Sequence, residues 1–187
     1  MFIGIDLGTS SIKTILIDEN QKVIGSVNRP LDLLNPKTGY YEQNPDSWYL
    51  ATLKSFEELK SKFLKEFTAT NAIGISGQMH GATLIDKNKT VLRPCILWND
   101  TRSASQCIEM ENSYEFFRKE SGNIAMPGFT APKILWIKQN EPDVFKKIYK
   151  ILLPKDYLRF RLTDTYYSDM SDASGTLWLD VENRKWS

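Results

Sequence analysis

The first eighteen residues, Met1 to Asp18, constrain the fold of this chain most strongly. Phe2, Ile3 and Ile5 form one short apolar run, and Ile12, Ile15, Leu16 and Ile17 form a second. Both are rich in β-branched residues, which favours buried strands. The turn between them, Gly8-Thr9-Ser10-Ser11, makes the pair a hairpin. One carboxylate, Asp6, stands where the first strand gives way to the turn. Such a turn can aim successive backbone N–H groups at one anion, and Gly8 offers no side chain to obstruct its approach. Thr9, Ser10 and Ser11 add hydroxyls, and Lys13 adds a positive charge. Asp6 is suited to Mg²⁺, which takes oxygen ligands and keeps several waters beside bound phosphates. The plainer alternative is an ordinary hairpin with an Asp before its turn.

The remaining composition narrows the function class. A chain of 187 residues can bury a real core as one large domain or two small lobes. Its 24 basic and 23 acidic residues nearly cancel, so neither a nucleic-acid surface nor a membrane surface is expected. No apolar stretch approaches membrane length. Two cysteines, Cys95 and Cys107, and a single His give neither a zinc nor a disulfide framework. A cytoplasmic protein with reduced thiols is expected.

Along the chain, Asp18 to Lys22 is a polar turn into a third strand near 22–28, which completes an antiparallel meander. Residues 29–44 are a Pro-, Gly- and Tyr-rich loop whose Gly39–Gln43 stretch is either a packed edge or a lid. Asn44-Pro45-Asp46 starts a helix expected over 45–67, about six turns at 3.6 residues each, with Tyr49, Leu53, Phe56, Phe63 and Phe67 as its core stripe. A strand at 72–76 follows this crossover and should pair parallel to the first. It ends in Ser76-Gly-Gln-Met79-His80-Gly81, at the strand edge where open α/β sheets bind ligands. His80 is therefore read as a ligand contact, against the ordinary expectation of a structural His. A further apolar run delivers Trp98-Asn99-Asp100-Thr101-Arg102, the mixture of aromatic face and planar polar groups that suits a sugar. Asp100 or Thr101 could equally cap the helix expected over 103–112. A short helix is expected at 113–120, and a further parallel strand at 150–153.

Gly128-x-Thr130-x-x-Lys133-Ile134-x-Trp136-Ile137-x-Gln139-Asn140 resembles a recognised pattern of the FGGY carbohydrate kinases, and Ile5-Asp6-Leu-Gly8-Thr9-Ser10 resembles the first phosphate loop of the wider actin, Hsp70 and sugar-kinase superfamily. Gln78–Gly81, Leu97–Asp100, Met126–Lys133, Pro154–Tyr157 and Ser168–Thr176 are similar to members of the family that act on D-xylulose. The resemblance implies a ribonuclease H-like fold with a mixed five-stranded sheet flanked by helices. It implies ATP-dependent phosphorylation of D-xylulose on its 5-hydroxyl, with Mg²⁺. Gly8, Thr9, Ser10 and Lys13 would then serve the ATP phosphates and Asp6 the metal. Met79, His80, Trp98, Asn99 and Asp100 would line the sugar pocket. It also implies that the catalytic Asp, the second phosphate loop and the adenine pocket lie in a C-terminal domain. Residues 1–187 are then an N-terminal domain, inactive alone and prone to pair as a homodimer. The alternatives are a kinase for gluconate, ribulose or glycerol, and an actin- or Hsp70-like nucleotide module. A ribonuclease H-type nuclease would need converging carboxylates and a basic surface.

Overall fold

The computed structural model of the protein describes residues 1–113 and 117–187. In chain order its first half runs β1 (Phe2–Leu7), β2 (Ser11–Ile17), β3 (Val23–Pro30), β4 (Glu42–Gln43), α1 (Pro45–Lys62), α2 (Leu64–Thr68), β5 (Ala72–Gly77), β6 (Thr83–Ile85) and β7 (Cys95–Ile96). The second half runs α3 (Ala104–Ser113), α4 (Phe117–Ser121), α5 (Thr130–Asn140), α6 (Pro142–Phe145), β8 (Lys150–Leu152), α7 (Pro154–Thr163), α8 (Met170–Ser174), β9 (Leu179–Asp180) and β10 (Lys185–Trp186). The helix expected at 113–120 falls partly on residues 114–116, outside the described residues. Its described part is α4, closed by Gly122 at φ +65°.

The principal sheet has the order β3-β2-β1-β5, antiparallel among the first three strands and parallel between β1 and β5. Alternation puts Ile3, Ile5 and Leu7 of β1 on one face with Ile12, Thr14 and Leu16 of β2. Trp48 and Leu59 of α1, and Tyr157, Leu158 and Phe160 of α7, join these strands in one core. Full burial of each Leu or Ile there contributes about 1.5–3 kcal/mol.

Two expectations need correction. The helix expected over 45–67 breaks at Phe63, whose φ of −136° and ψ of 53° leave the helical region before α2 resumes. The Phe63 ring lies against β3, where a Cβ on Gly25 would come within 2.5 Å of it. The helix thus ends where its last aromatic turns onto the sheet. The fully inward face of α1 is Pro45, Trp48, Thr52, Ser55 and Leu59, whereas Tyr49, Phe56, Phe63 and Phe67 form a partly buried rim. Thr52 and Ser55 are tolerated inside because their hydroxyls donate to the carbonyls of Trp48 and Ala51.

The second correction concerns the sheet, which holds four strands among the described residues rather than five. The strand expected at 150–153 forms as β8 but pairs antiparallel with β6. All three residues of β6 are buried, so its backbone needs partners on both edges. Leu92 donates to Leu84 on one side, and β8 supplies the other. The Gly39–Gln43 stretch is a packed edge, since β4 pairs with β7.

Gly25→Val tests the seat of Phe63. The added side chain must displace that ring, so chemical denaturation should show a loss of about 1–3 kcal/mol.

Candidate functional site

The parallel register of β1 and β5 brings two turns out of the same sheet edge side by side. Leu7 lies opposite Gly77, and the Gln78 N–H donates to the Leu7 carbonyl at 2.7 Å. One turn is Gly8–Ser11, closed by a Gly8 N–H bond to the Ser11 carbonyl at 3.0 Å. The amides of Thr9 and Ser10 have no protein acceptor among the described residues. They, rather than the amide of Gly8, are available to an anion. Asp6 and Lys13 face each other across the hairpin, and both are exposed.

A chain of buried amides joins this turn to the next. The Thr9 hydroxyl donates to Gln78 Oε1 at 3.0 Å and accepts from the Trp98 indole N–H at 3.0 Å. Gln78 Nε2 donates to Gln43 Oε1 at 2.9 Å, which also accepts from Trp48 Nε1 at 3.1 Å. Gln43 Nε2 returns to the Thr9 carbonyl at 2.6 Å. Gln43 is fully buried, and both ends of its amide are engaged. The Thr9 hydroxyl is therefore already committed to protein partners.

The second turn presents Met79 and His80. His80 sits at φ +63°, in the left-handed region, so its backbone must be held there by its surroundings. Its carbonyl accepts from Lys133 Nζ at 2.9 Å and from the Thr130 hydroxyl at 3.1 Å. Its ring meets Phe129 edge-to-face at 4.6 Å, and its Nδ1 is buried without a partner among the described residues. Met79 and His80 line a cleft of about 470 Å³ with Phe129, Lys155, Asp172 and Ser174. Burial, reinforced by the Lys133 charge, holds the His80 imidazole down to about 4, so it is neutral at pH 7. Lys155 Nζ is ringed by Asp156, Asp169 and Asp172 at 2.6, 2.8 and 3.1 Å. Burial opposes its charge, but its bonds to Asp156 and Asp169 outweigh that and raise its pKa.

Trp98 is 44% exposed, and its indole N–H is tied to Thr9 of the first turn. Asn99 Oδ1 is buried without a partner among the described residues. Asp100, expected to line the sugar pocket, has its carboxylate engaged by the protein itself. Asp100 is buried and accepts from the Tyr41 N–H at 2.6 Å and from Arg102 Nε at 2.9 Å. Arg102 in turn pairs with Glu42 at 2.7 Å and stacks 3.9 Å from the Tyr40 ring centre. Once Arg102 is buried, a neighbouring carboxylate is needed to balance it, and Asp100 is consumed in that role.

Sequence reasoning did not single out Gln43, Lys133, Lys155, Asp172 or Gly175. Lys133 stood inside the kinase-like pattern, which was its only signal. Lys155, Asp172 and Gly175 likewise stood inside segments resembling the family, whereas Gln43 becomes visible only when distant segments meet.

The single His gives the site a pH signature. The folded imidazole titrates near 4 and a free one near 6.5, so the unfolded chain binds more protons between those values. This contribution is complete above pH 6.5 and is lost as pH falls towards 4, by up to about 3 kcal/mol. Denaturation midpoints measured from pH 7 to 4 should fall more steeply in the wild type than in His80→Asn.

The geometry agrees with known proteins. The model of the FGGY family of carbohydrate kinases, N-terminal domain, matches residues 1–187. The xylulose kinase of Escherichia coli strain K12 is 49% identical over 187 residues, covering 100% of this chain and 38% of that protein. A crystal structure of a xyloylose kinase from Brucella ovis superposes with a TM-score of 0.96 at 52% identity, covering 99% of this chain and 39% of the other. A gluconate kinase from Lactobacillus acidophilus superposes at 0.92 with 28% identity, covering 100% and 38%. The chain thus spans under two-fifths of the length of these relatives. With its strands, turns and pattern in register from end to end, this chain belongs to the FGGY family of carbohydrate kinases and carries its N-terminal domain.

Proposed function

We propose that residues 1–187 form the sugar-binding part, with the first phosphate turn, of a kinase that uses ATP to convert D-xylulose to D-xylulose 5-phosphate. The observation that carries this is the Thr9–Gln78–Trp98 linkage. It ties an anion-binding turn to the turn bearing Met79 and His80 at one sheet edge. Phosphoryl transfer requires this juxtaposition of phosphate and acceptor hydroxyl. The Thr9 and Ser10 amides, beside Gly8, would receive ATP phosphates, with Lys13 adding charge. Neutral His80, with Met79, Trp98 and the Asn99 amide, would meet sugar hydroxyls and the apolar edge of the sugar. Asp100 acts one step back, holding Arg102 and the Tyr41 backbone.

Mg²⁺ fits here as an ion carried mainly by phosphate oxygens and water, because no group of three candidate ligands occurs among the described residues. Asp6 would supply the protein carboxylate beside the phosphate turn. Mg²⁺ there would neutralise charge on the transferring phosphoryl group. An imidazole titrating near 4 is too weakly basic to take the proton of an alcohol efficiently. The proton acceptor, a second phosphate clamp and the adenine site are accordingly assigned to the rest of a longer protein. A cytoplasmic setting belongs to the same proposal, supported by two buried free thiols. No helix among the described residues is long and apolar enough to cross a membrane. Pairing of isolated chains is supported by exposed apolar side chains at the sheet edge, Ile73 and Met79.

The second reading is a gluconate, ribulose or glycerol kinase, favoured by the close superposition of the gluconate kinase. The two separate in a coupled ATPase assay of the full-length protein against these sugars. D-xylulose should give the highest kcat/KM, and a preference for gluconate would overturn the assignment. Asp6→Asn should lower kcat and raise the Mg²⁺ requirement while leaving the sugar KM within about twofold, an interval of ~0.4 kcal/mol. The 187-residue chain alone should make no xylulose 5-phosphate above a no-protein control.

A further inference from the structure

Lys133 is fully buried on α5, yet its ammonium forms no ion pair with a carboxylate among the described residues. Its two partners are backbone carbonyls, His80 at 2.9 Å and Gly128 at 2.7 Å. His80 lines the cleft, and Gly128 immediately precedes Phe129, which also lines it. Gly128 in turn presses on the strand that delivers Trp98, since a Cβ there would lie 2.6 Å from the Trp98 carbonyl oxygen. Thr130, one turn earlier on α5, donates to the same His80 carbonyl. Gly175 also abuts the His80 ring, since a Cβ there would fall 2.2 Å from Cε1. One buried cation therefore joins the His80 turn, the Gly128 loop and, through it, the Trp98 segment.

We infer that Lys133 is a positioning residue for the sugar: by gripping the carbonyls of His80 and Gly128 it holds the His80 turn in its left-handed conformation and sets the imidazole against Phe129 and Gly175. A buried charge with only neutral acceptors is costly, and burial pulls the Lys133 pKa down to about 7. A site built for stability alone would do better with an apolar side chain of similar volume. The cost is explained when the charge orders a turn that would otherwise relax out of the left-handed region. The inference rests on the reading of this cleft as the sugar site.

The test uses the full-length kinase, with folding of each variant checked by circular dichroism. Lys133→Met should raise the KM for D-xylulose at least tenfold and leave the KM for ATP within twofold. Gly175→Ala, which pushes the imidazole without touching Lys133, should reproduce that split. Thr130→Val should do so more weakly, and Thr130→Ser should restore what it loses. Equal changes in both Michaelis constants, or an unchanged sugar KM in folded variants, would overturn the inference. If Lys133→Met does not fold, Lys133→Gln, whose amide can still donate to one of the two carbonyls, is held to the same criterion. A sugar-independent reading comes from imidazole NMR of His80 in this chain. The nuclear Overhauser contacts between that ring and Phe129 should weaken in Lys133→Met, and contacts of unchanged strength would sink the positioning role. A wild type that prefers another sugar overturns the proposed substrate while leaving the NMR outcome to judge Lys133.

Discussion

The parallel pairing of β1 with β5 is the constraint from which the rest of the site follows. Strands that run the same way end at the same edge, so the Gly8–Ser11 and Gln78–Gly81 turns must emerge together. The crossover between the strands contains α1 and α2, and α1 packs back onto the sheet through Trp48 and Leu59. A shift of one residue in that register would turn every inward Ile and Leu of β1 to the other face. Burial of those side chains consequently sets the relative height of the two turns, and functional geometry inherits its precision from the core.

Around that edge the polar groups are nearly all spoken for. Gln43 satisfies Trp48, Gln78 and the Thr9 carbonyl at once, and Thr9 bridges Gln78 and Trp98. Satisfied buried networks of this kind are stiff, because releasing any one bond leaves a desolvated partner. The Gly8–Ser11 and Gln78–Gly81 turns are thus mechanically coupled through amides that are given no substrate contact in the proposed reaction. Beside them, Arg102 and Arg93 are compensated by Glu42, Asp100 and Glu141 and stacked on Tyr40 and Trp136. This cluster locks the packed edge at 39–43 against the strand leading to Trp98.

What stays unsatisfied stands out against that background. His80 Nδ1 and Asn99 Oδ1 are buried and lack partners, and the Thr9 and Ser10 amides have no protein acceptor among the described residues. The two buried atoms are costly when left dry, so a polar ligand that completed them would gain affinity from the same desolvation already incurred.

Local pattern carried a large part of this fold. The hairpin at Met1–Asp18, the third strand and the Asn44-Pro45 helix start were legible because β-branched runs, a short turn and a capping residue act within a few residues of one another. The Met79-His80 turn was legible too, since glycines bracket a polar stretch where a strand ends. Long-range partners were not. The fate of Asp100 depended on Arg102 being buried against Glu42 and Tyr40. The partner of Lys150–Leu152 depended on β6 needing its second edge paired, and the true inward face of α1 on where Trp48 could reach Gln43. Periodicity reports which side of an element is apolar, but hydrogen-bond demand between segments far apart in sequence decides which neighbours meet. That is why the kinase family could be recognised along the chain, while the commitment of Asp100 and the hub at Lys133 emerged only from the packed structure.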